Sequence, residues 1–259
     1  LKCDSPNDFW KEIRQLTNGD FNPIYPNLEL VKEHFTKIYN CFSPDTLESN
    51  VEITGSHDQE MDSNISLEEL DLALFRLGRK KASGWDSIPG EFYKYLDSGN
   101  RQYLLSFFNM IFESGRFPNG WNRSKMFLIH KKGDVSLPAN YRSIAILSTI
   151  VKIFTSILRN RLSAWAEERR LLGEGQNGFR HGRSCTDSLF ILSSLINNQV
   201  SKRGGKLFAF FVDFRQAFDR INHVLLWRKL SSMDISSKVL KLLIEFYTGA
   251  TVRIVLGEN

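Results

Sequence analysis

The run from Leu207 to Phe214 constrains this chain more than any other stretch. It is the densest apolar segment of the 259 residues, and only Asp213 interrupts it. Leu207 to Val212 is continuous, apolar and rich in phenylalanine, which suits a strand buried on both faces rather than one edge of an open sheet. Such a strand needs neighbours on either side and helices above and below. It also delivers Asp213 at its C-terminal end, and a tight turn then places Phe218 five residues further on. A carboxylate on a rigid strand end is what a hard cation such as Mg2+ requires, since a misplacement of about 1 Å is costly. The residues alone also allow a plain turn or cap role for Asp213, and a turn-stabilising role is the expectation for Asp219.

The rest of the chain reads as helices with a few strands between them. Asp8 to Leu16 and Leu28 to Ile38 carry short helical patterns, and the polar stretch Val51 to Asn64 reads as a linker. Ser66 and Glu69 form a capping box ahead of Leu67, Leu70, Leu74 and Leu77. Pro89 opens another short helix, and Tyr103 to Phe112 makes a further one that ends at Gly115. Met126 to Ile129 is a short strand closed by a basic turn. A long amphipathic helix follows, with apolar residues recurring at three and four from Leu147 to Trp165. Thr186 to Asn197, the segment capped by Asn222, and Val239 to Tyr247 complete the helices, and Thr251 to Leu256 is a last strand. The class is α+β or α/β.

Charge is unevenly spread. The net charge of +5 conceals a balance of −8 over residues 1–115, +9 over 116–183 and +4 over 184–259. A basic block of this size either marks a polyanion site or solvates helix faces. Cys3, Cys41 and Cys185 lie far apart and show no zinc-ligand spacing, as expected of reduced thiols in an intracellular protein. No apolar run approaches the ~20 residues that span a bilayer, and the N-terminus lacks the pattern of a signal peptide, so the expected setting is cytoplasm or nucleus.

Five segments stand in a recognisable order: Lys81-Ala82-Ser83-Gly84-Trp85-Asp86-Ser87-Ile88-Pro89, Ile129-His130-Lys131-Lys132-Gly133-Asp134, Asn140-Tyr141-Arg142-Ser143-Ile144, Gln176 to Ser184, and Asp213 to Asp219. On these segments the chain, over roughly residues 66–259, resembles the reverse transcriptase of LINE-type (non-LTR) retrotransposons. The resemblance implies an α+β right-hand polymerase fold with RNA template, DNA primer and dNTPs as partners and Mg2+ as cofactor. It divides the chain into an N-terminal extension (1–65), a helical part (66–118), fingers (119–206) and the start of a palm (207–259), with the thumb and the remaining palm motifs missing.

By resemblance, Asp213 is the catalytic metal ligand and the Phe214 carbonyl a weaker metal contact. Lys131, Lys132 and Arg142 would face the triphosphate. Phe218 would sit against the sugar where a 2′-hydroxyl would clash. Gln176, Gly178, Phe179, Arg180 and Arg183 would lie along the template, with the two arginines neutralising phosphates. Ser143 and His130 stand where the family commonly has proline, which is expected to loosen both loops. A single carboxylate cannot hold two metals, so the segment is expected to be inactive alone. A non-catalytic nucleic-acid-binding remnant is the main rival reading, and a two-metal nuclease a weaker one.

Overall fold

The structure is a computed structural model, and it describes residues 25–39 and 53–256. The expected helix at Asp8 to Leu16, Cys3 and Cys41 lie outside the described residues.

The helices are α1 (Leu28–Tyr39), α2 (Gln59–Asp62), α3 (Leu67–Phe75), α4 (Gly90–Lys94), α5 (Ser98–Ser114), α6 (Thr149–Glu168), α7 (Cys185–Val200), α8 (His223–Ser232) and α9 (Ser237–Tyr247). The strands are β1 (Arg123–His130), β2 (Tyr141–Leu147) and β3 (Thr251–Val255), in the sheet order β2-β1-β3. β2 runs antiparallel to β1, with Tyr141 opposite His130 and Leu147 opposite Ser124, while β3 runs parallel to β1. The fold mixes helix and sheet, as expected.

Local chemistry explains most boundaries. The Ser66–Glu69 capping box forms with both reciprocal bonds and starts α3. Gly115 ends α5 in the left-handed conformation, which glycine adopts without a Cβ penalty. The apolar stripe of α6 buries Val151, Phe154, Ile157, Leu158 and Trp165 in the main core. There Phe108, Phe117, Trp121 and Phe154 meet edge to face or tilted, contacts worth about 0.5–1.5 kcal/mol each beyond the area they bury. A second, smaller core forms where Val31, Phe35 and Ile38 of α1 cover one face of the sheet at Met126, Leu128 and Ile254.

Residues 53–64 are packed rather than free. Thr54 reaches Ser231, Ser56 reaches Asp234, Asp58 reaches Arg169, and Ser236 donates to Asp62. Met61 is buried. Arg161 holds the centre of this strap. Its guanidinium forks onto both oxygens of Glu69 at 2.7 Å and also donates to the carbonyls of Met61, Ser63 and Asn64. The Arg161 guanidinium and the Lys238 ammonium both lie over the Phe112 ring, at 5.2 and 4.3 Å. Polar composition masked this because the side chains of Thr54, Ser56, Asp58 and Asp62 each find a specific partner.

The expected buried strand at Leu207 to Val212 does not form. This stretch pairs with no strand among the described residues, and Phe208 and Phe210 are each 91% exposed. The reason is non-local: a strand buried on two faces needs sheet neighbours and covering helices, and the run supplies neither by itself. Nearby in sequence, α7 buries no residue at all and presents Leu189, Phe190, Leu195 and Val200.

Candidate nucleotide-binding cleft

The cleft forms where three segments that are distant in sequence come together. The first is the end of the β1–β2 hairpin. His130 pins the basic turn, packing its ring on Tyr141 at 5.1 Å and bonding the Gly133 carbonyl at 3.1 Å. Asn140 donates to the Asp134 carbonyl, and Tyr141 donates to the Val135 carbonyl. Histidine in place of proline therefore braces this turn, contrary to the loosening expected. The second segment is the turn Phe214 to Asp219, with Gln216 in the left-handed region at φ 52°. The third is α1, through Phe35.

These segments enclose a cleft of about 520 Å3 lined by Phe35, Lys131, Tyr141, Arg142, Ser143, Phe214, Gln216, Ala217, Phe218 and Asp219. Lys131, Arg142, Phe214 and Phe218 thus share one cavity. Lys132 and Asp213 are not among its lining residues, although each adjoins one in sequence, and Asp213 is exposed. Arg142 is exposed and has no ion-pair partner among the described residues, so its five donors are free for an anion.

Asp219 is more than a turn residue. Burial pushes its carboxyl above the ordinary carboxylate range, while Lys131 and a hydrogen bond with Ser143 pull it partly back. Tyr39 of α1 touches the same Ser143 hydroxyl at 3.5 Å. Asp219 and the N-terminal helix were both missed as parts of this cleft by sequence reasoning. The only sequence signal was the short distance from Asp219 to Phe218.

The loop Gln176 to Arg183 reaches the same region. Phe179, 91% exposed and at φ 62°, meets the Phe218 ring edge-on at 5.8 Å. Gln176 folds back onto the Gly178 carbonyl at 3.1 Å. Arg180 behaves differently from the expected phosphate contact. Its side chain is 8% exposed and forks onto Glu167 at 2.6 and 2.8 Å, with further bonds to the Gly173 and Gln176 carbonyls. It clamps the loop to α6. Arg183 pairs at 2.8 Å with Glu174, whose side chain is largely exposed, so a competing phosphate could displace that carboxylate. Arg180→Ala is accordingly expected to lower the midpoint of thermal unfolding by several degrees while leaving the salt slope of nucleic-acid binding unchanged. A drop of about one in that slope would show instead that Arg180 neutralises a phosphate.

A metal centre does not assemble from the described residues. No group of three or more His, Cys, Asp or Glu side chains among them lies close enough to hold an ion. Asp213 and the Phe214 carbonyl would be one part of a donor set, and two-metal chemistry needs more.

The cleft lies at the end of the β1–β2 hairpin of a mixed helix-and-sheet fold, and the matching sequence family gives the chain a class. Residues 129–257 match the family described as reverse transcriptase (RNA-dependent DNA polymerase). The chain belongs to the reverse transcriptase family. It is 33% identical over 160 residues to "Probable RNA-directed DNA polymerase from transposon BS" of Drosophila melanogaster, covering 61% of this chain and 18% of that relative. It is 28% identical over 167 residues to "RNA-directed DNA polymerase from mobile element jockey" of the same species, covering 62% of this chain and 18% of that relative. The alignment to "Transposon TX1 uncharacterized 149 kDa protein" of Xenopus laevis is 26% identical over 251 residues and takes in 93% of this chain and 19% of that relative. The chain spans about a fifth of the length of these curated relatives. Two of these relatives are named as RNA-directed DNA polymerases of mobile elements, so this is a reverse transcriptase segment of a retrotransposon, consistent with the LINE type.

Proposed function

We propose that this segment is the fingers and the start of the palm of a right-hand RNA-directed DNA polymerase, and that its cleft receives the incoming deoxynucleotide. One observation carries the reading: Lys131, Arg142, Phe214 and Phe218, drawn from segments 70 or more residues apart, line a single cavity. Arg142 offers the triphosphate a forked, charge-assisted donor set, and Lys131 adds a point charge partly balanced by Asp219. Phe218, in edge-on contact with Phe179, would press on the sugar. The template loop thereby touches the nucleotide wall, so the template base and the incoming nucleotide can be held in register.

Divalent metal, when bound, would supply charge neutralisation at the phosphates. Asp213, which adjoins the cleft residue Phe214 in sequence, would contribute one carboxylate, with the other donors coming from outside the described residues. Residues 1–259 by themselves are therefore expected to extend no primer.

The test is primer extension on an RNA template by a polypeptide that continues past Asn259 into the rest of the element. Arg142→Ala should raise the KM for dNTPs roughly 10- to 100-fold, the worth of a hydrogen bond to a charged group, with primer–template affinity unchanged. An unchanged KM would remove the cleft from nucleotide binding. Salt-sensitive RNA binding with no extension by the longer polypeptide would favour a nucleic-acid-binding remnant.

A further inference from the structure

A second cluster lies at the opposite end of the sheet from the cleft. Trp85 is 39% exposed, an unusual display for the largest side chain in the chain, and the Arg253 guanidinium lies over its ring at 5.1 Å. Both line a cavity of about 430 Å3 together with Arg123, Ser124, Thr251 and Val252. No carboxylate lines it, and neither Arg123 nor Arg253 forms an ion pair among the described residues. The neighbouring Asp86 is turned to the Ile88 amide, which donates to it at 3.1 Å.

The backbone holds Trp85 firmly. A Cβ on Gly84 would lie 2.3 Å from the Ser148 amide nitrogen, so the loop can approach the junction of β2 and α6 only with glycine there. The indole is thus presented from a fixed chain rather than from a mobile tip.

Strand alternation extends the cluster. Lys125 is the ladder partner of Arg253, and Arg123 lies two residues before it. Residues two apart share a face. Ile129 is the partner of Arg142 on that same face, opposite the one that α1 covers through Met126, Leu128 and Ile254. Cations therefore recur along the face of the sheet that α1 does not cover, from Arg142 on β2 through Lys125 to Arg123 and Arg253 beside Trp85. Six residue steps along β1, from Ile129 to Arg123, separate the two ends, about 20 Å at the rise of a strand.

We propose that Trp85, Arg123 and Arg253 form a stacking and phosphate-binding subsite for single-stranded nucleic acid that lies on this face. An exposed aromatic next to unpaired arginines is the combination that holds an unpaired strand, because every base has a face to stack and every linkage carries a charge. The subsite rests on the polymerase reading only for which strand occupies it, and its test requires no activity.

The test is binding of a fluorescent oligouridylate and oligothymidylate to the 259-residue chain, read by anisotropy across a salt series. Trp85→Ala should weaken binding roughly 5- to 100-fold, the contribution of one stacked base, and Trp85→Phe should restore most of it. Arg253→Gln should lower the salt slope by about one. Arg116→Gln, a substitution of an exposed cation outside the cluster, serves as the control. Circular dichroism establishes that each variant folds, and if Trp85→Ala does not, Trp85→Phe and Arg253→Gln decide the matter. Wild-type affinity and salt slope in the Trp85 and Arg253 variants would overturn the proposal. So would equal competition by polyglutamate with no dependence on Trp85, which would mark a surface for an acidic protein. If Arg142→Ala leaves the KM for dNTPs unchanged while Trp85→Ala loses oligonucleotide binding, the cleft reading fails and this subsite stands.

Discussion

Replacing Arg161 by methionine is expected to lower the stability of the chain by roughly 2–4 kcal/mol, toward the lower part of the range for breaking a buried ion pair. The guanidinium is 8% exposed and Glu69 about a third exposed, which is why the lower part of that range applies. The loss exceeds that of an ordinary surface pair because the same side chain also satisfies three main-chain carbonyls, at Met61, Ser63 and Asn64. Methionine preserves the packing against Phe112 but has no N–H to donate to those carbonyls, so the strap 53–64 should loosen first. Hydrogen exchange localised to residues 58–66, together with denaturant unfolding, measures both effects.

The pH dependence follows from the same contact. Burial alone would raise the Glu69 carboxyl, but the hydrogen bonds from Arg161 and the Ser66 amide outweigh it and hold the group below its ordinary value. A carboxylate with a depressed folded pKa contributes stability that is present above its unfolded value, about 4.3. That contribution is lost as pH falls through the lower folded value. The difference in stability between wild type and Arg161→Met should therefore be full at neutral pH and shrink below about pH 4. A gap that stays constant down to pH 3 would assign the loss to packing instead.

Phe218→Val, made in the longer polypeptide, is expected to erode discrimination between deoxy- and ribonucleotides by up to about 100-fold. That is the scale on which an apolar wall distinguishes a substrate from one carrying an added hydroxyl. Valine keeps an apolar surface in the cleft but withdraws the ring edge that meets Phe179 at 5.8 Å. The measurement is the ratio of kcat/KM for dNTP and rNTP incorporation opposite the same template base. The gain should appear in the ribonucleotide value, with the deoxynucleotide value nearly preserved. If both values fall together, Phe218 only packs the template loop. Phe179→Ala provides a second arm: by freeing the Phe218 ring it should weaken selectivity less than Phe218→Val does.

Periodicity and capping chemistry were legible without coordinates wherever they act within a few residues. The capping box at Ser66 and Glu69, the helix stop at Gly115, the apolar stripe from Ile150 to Trp165 and the Asn222 cap all appear as read, while Leu147, read as the first residue of that stripe, closes β2 instead. The basic turn, the tyrosine–arginine segment and the phenylalanine of the turn after Asp213 could be named as candidates because their segments resemble the family's motifs, and their charge and ring type suit the contacts that resemblance implies. Their convergence in one cleft could not be read, since it depends on β1 and β2 pairing and on α1 folding back over the sheet.

The misreadings share one physical origin. An arginine in a glycine-rich loop looks free for phosphate until the fold brings Glu167 to it, and a polar stretch looks like a linker until Arg161 reaches its carbonyls. Leu207 to Val212 has the composition of a buried strand, yet burial belongs to the neighbours rather than to the run. Sequence by itself determined the local elements, the chemical repertoire and the family. Tertiary structure alone decided which charges are paired and which remain open, because desolvation and ion pairing depend on groups that lie tens of residues away along the chain.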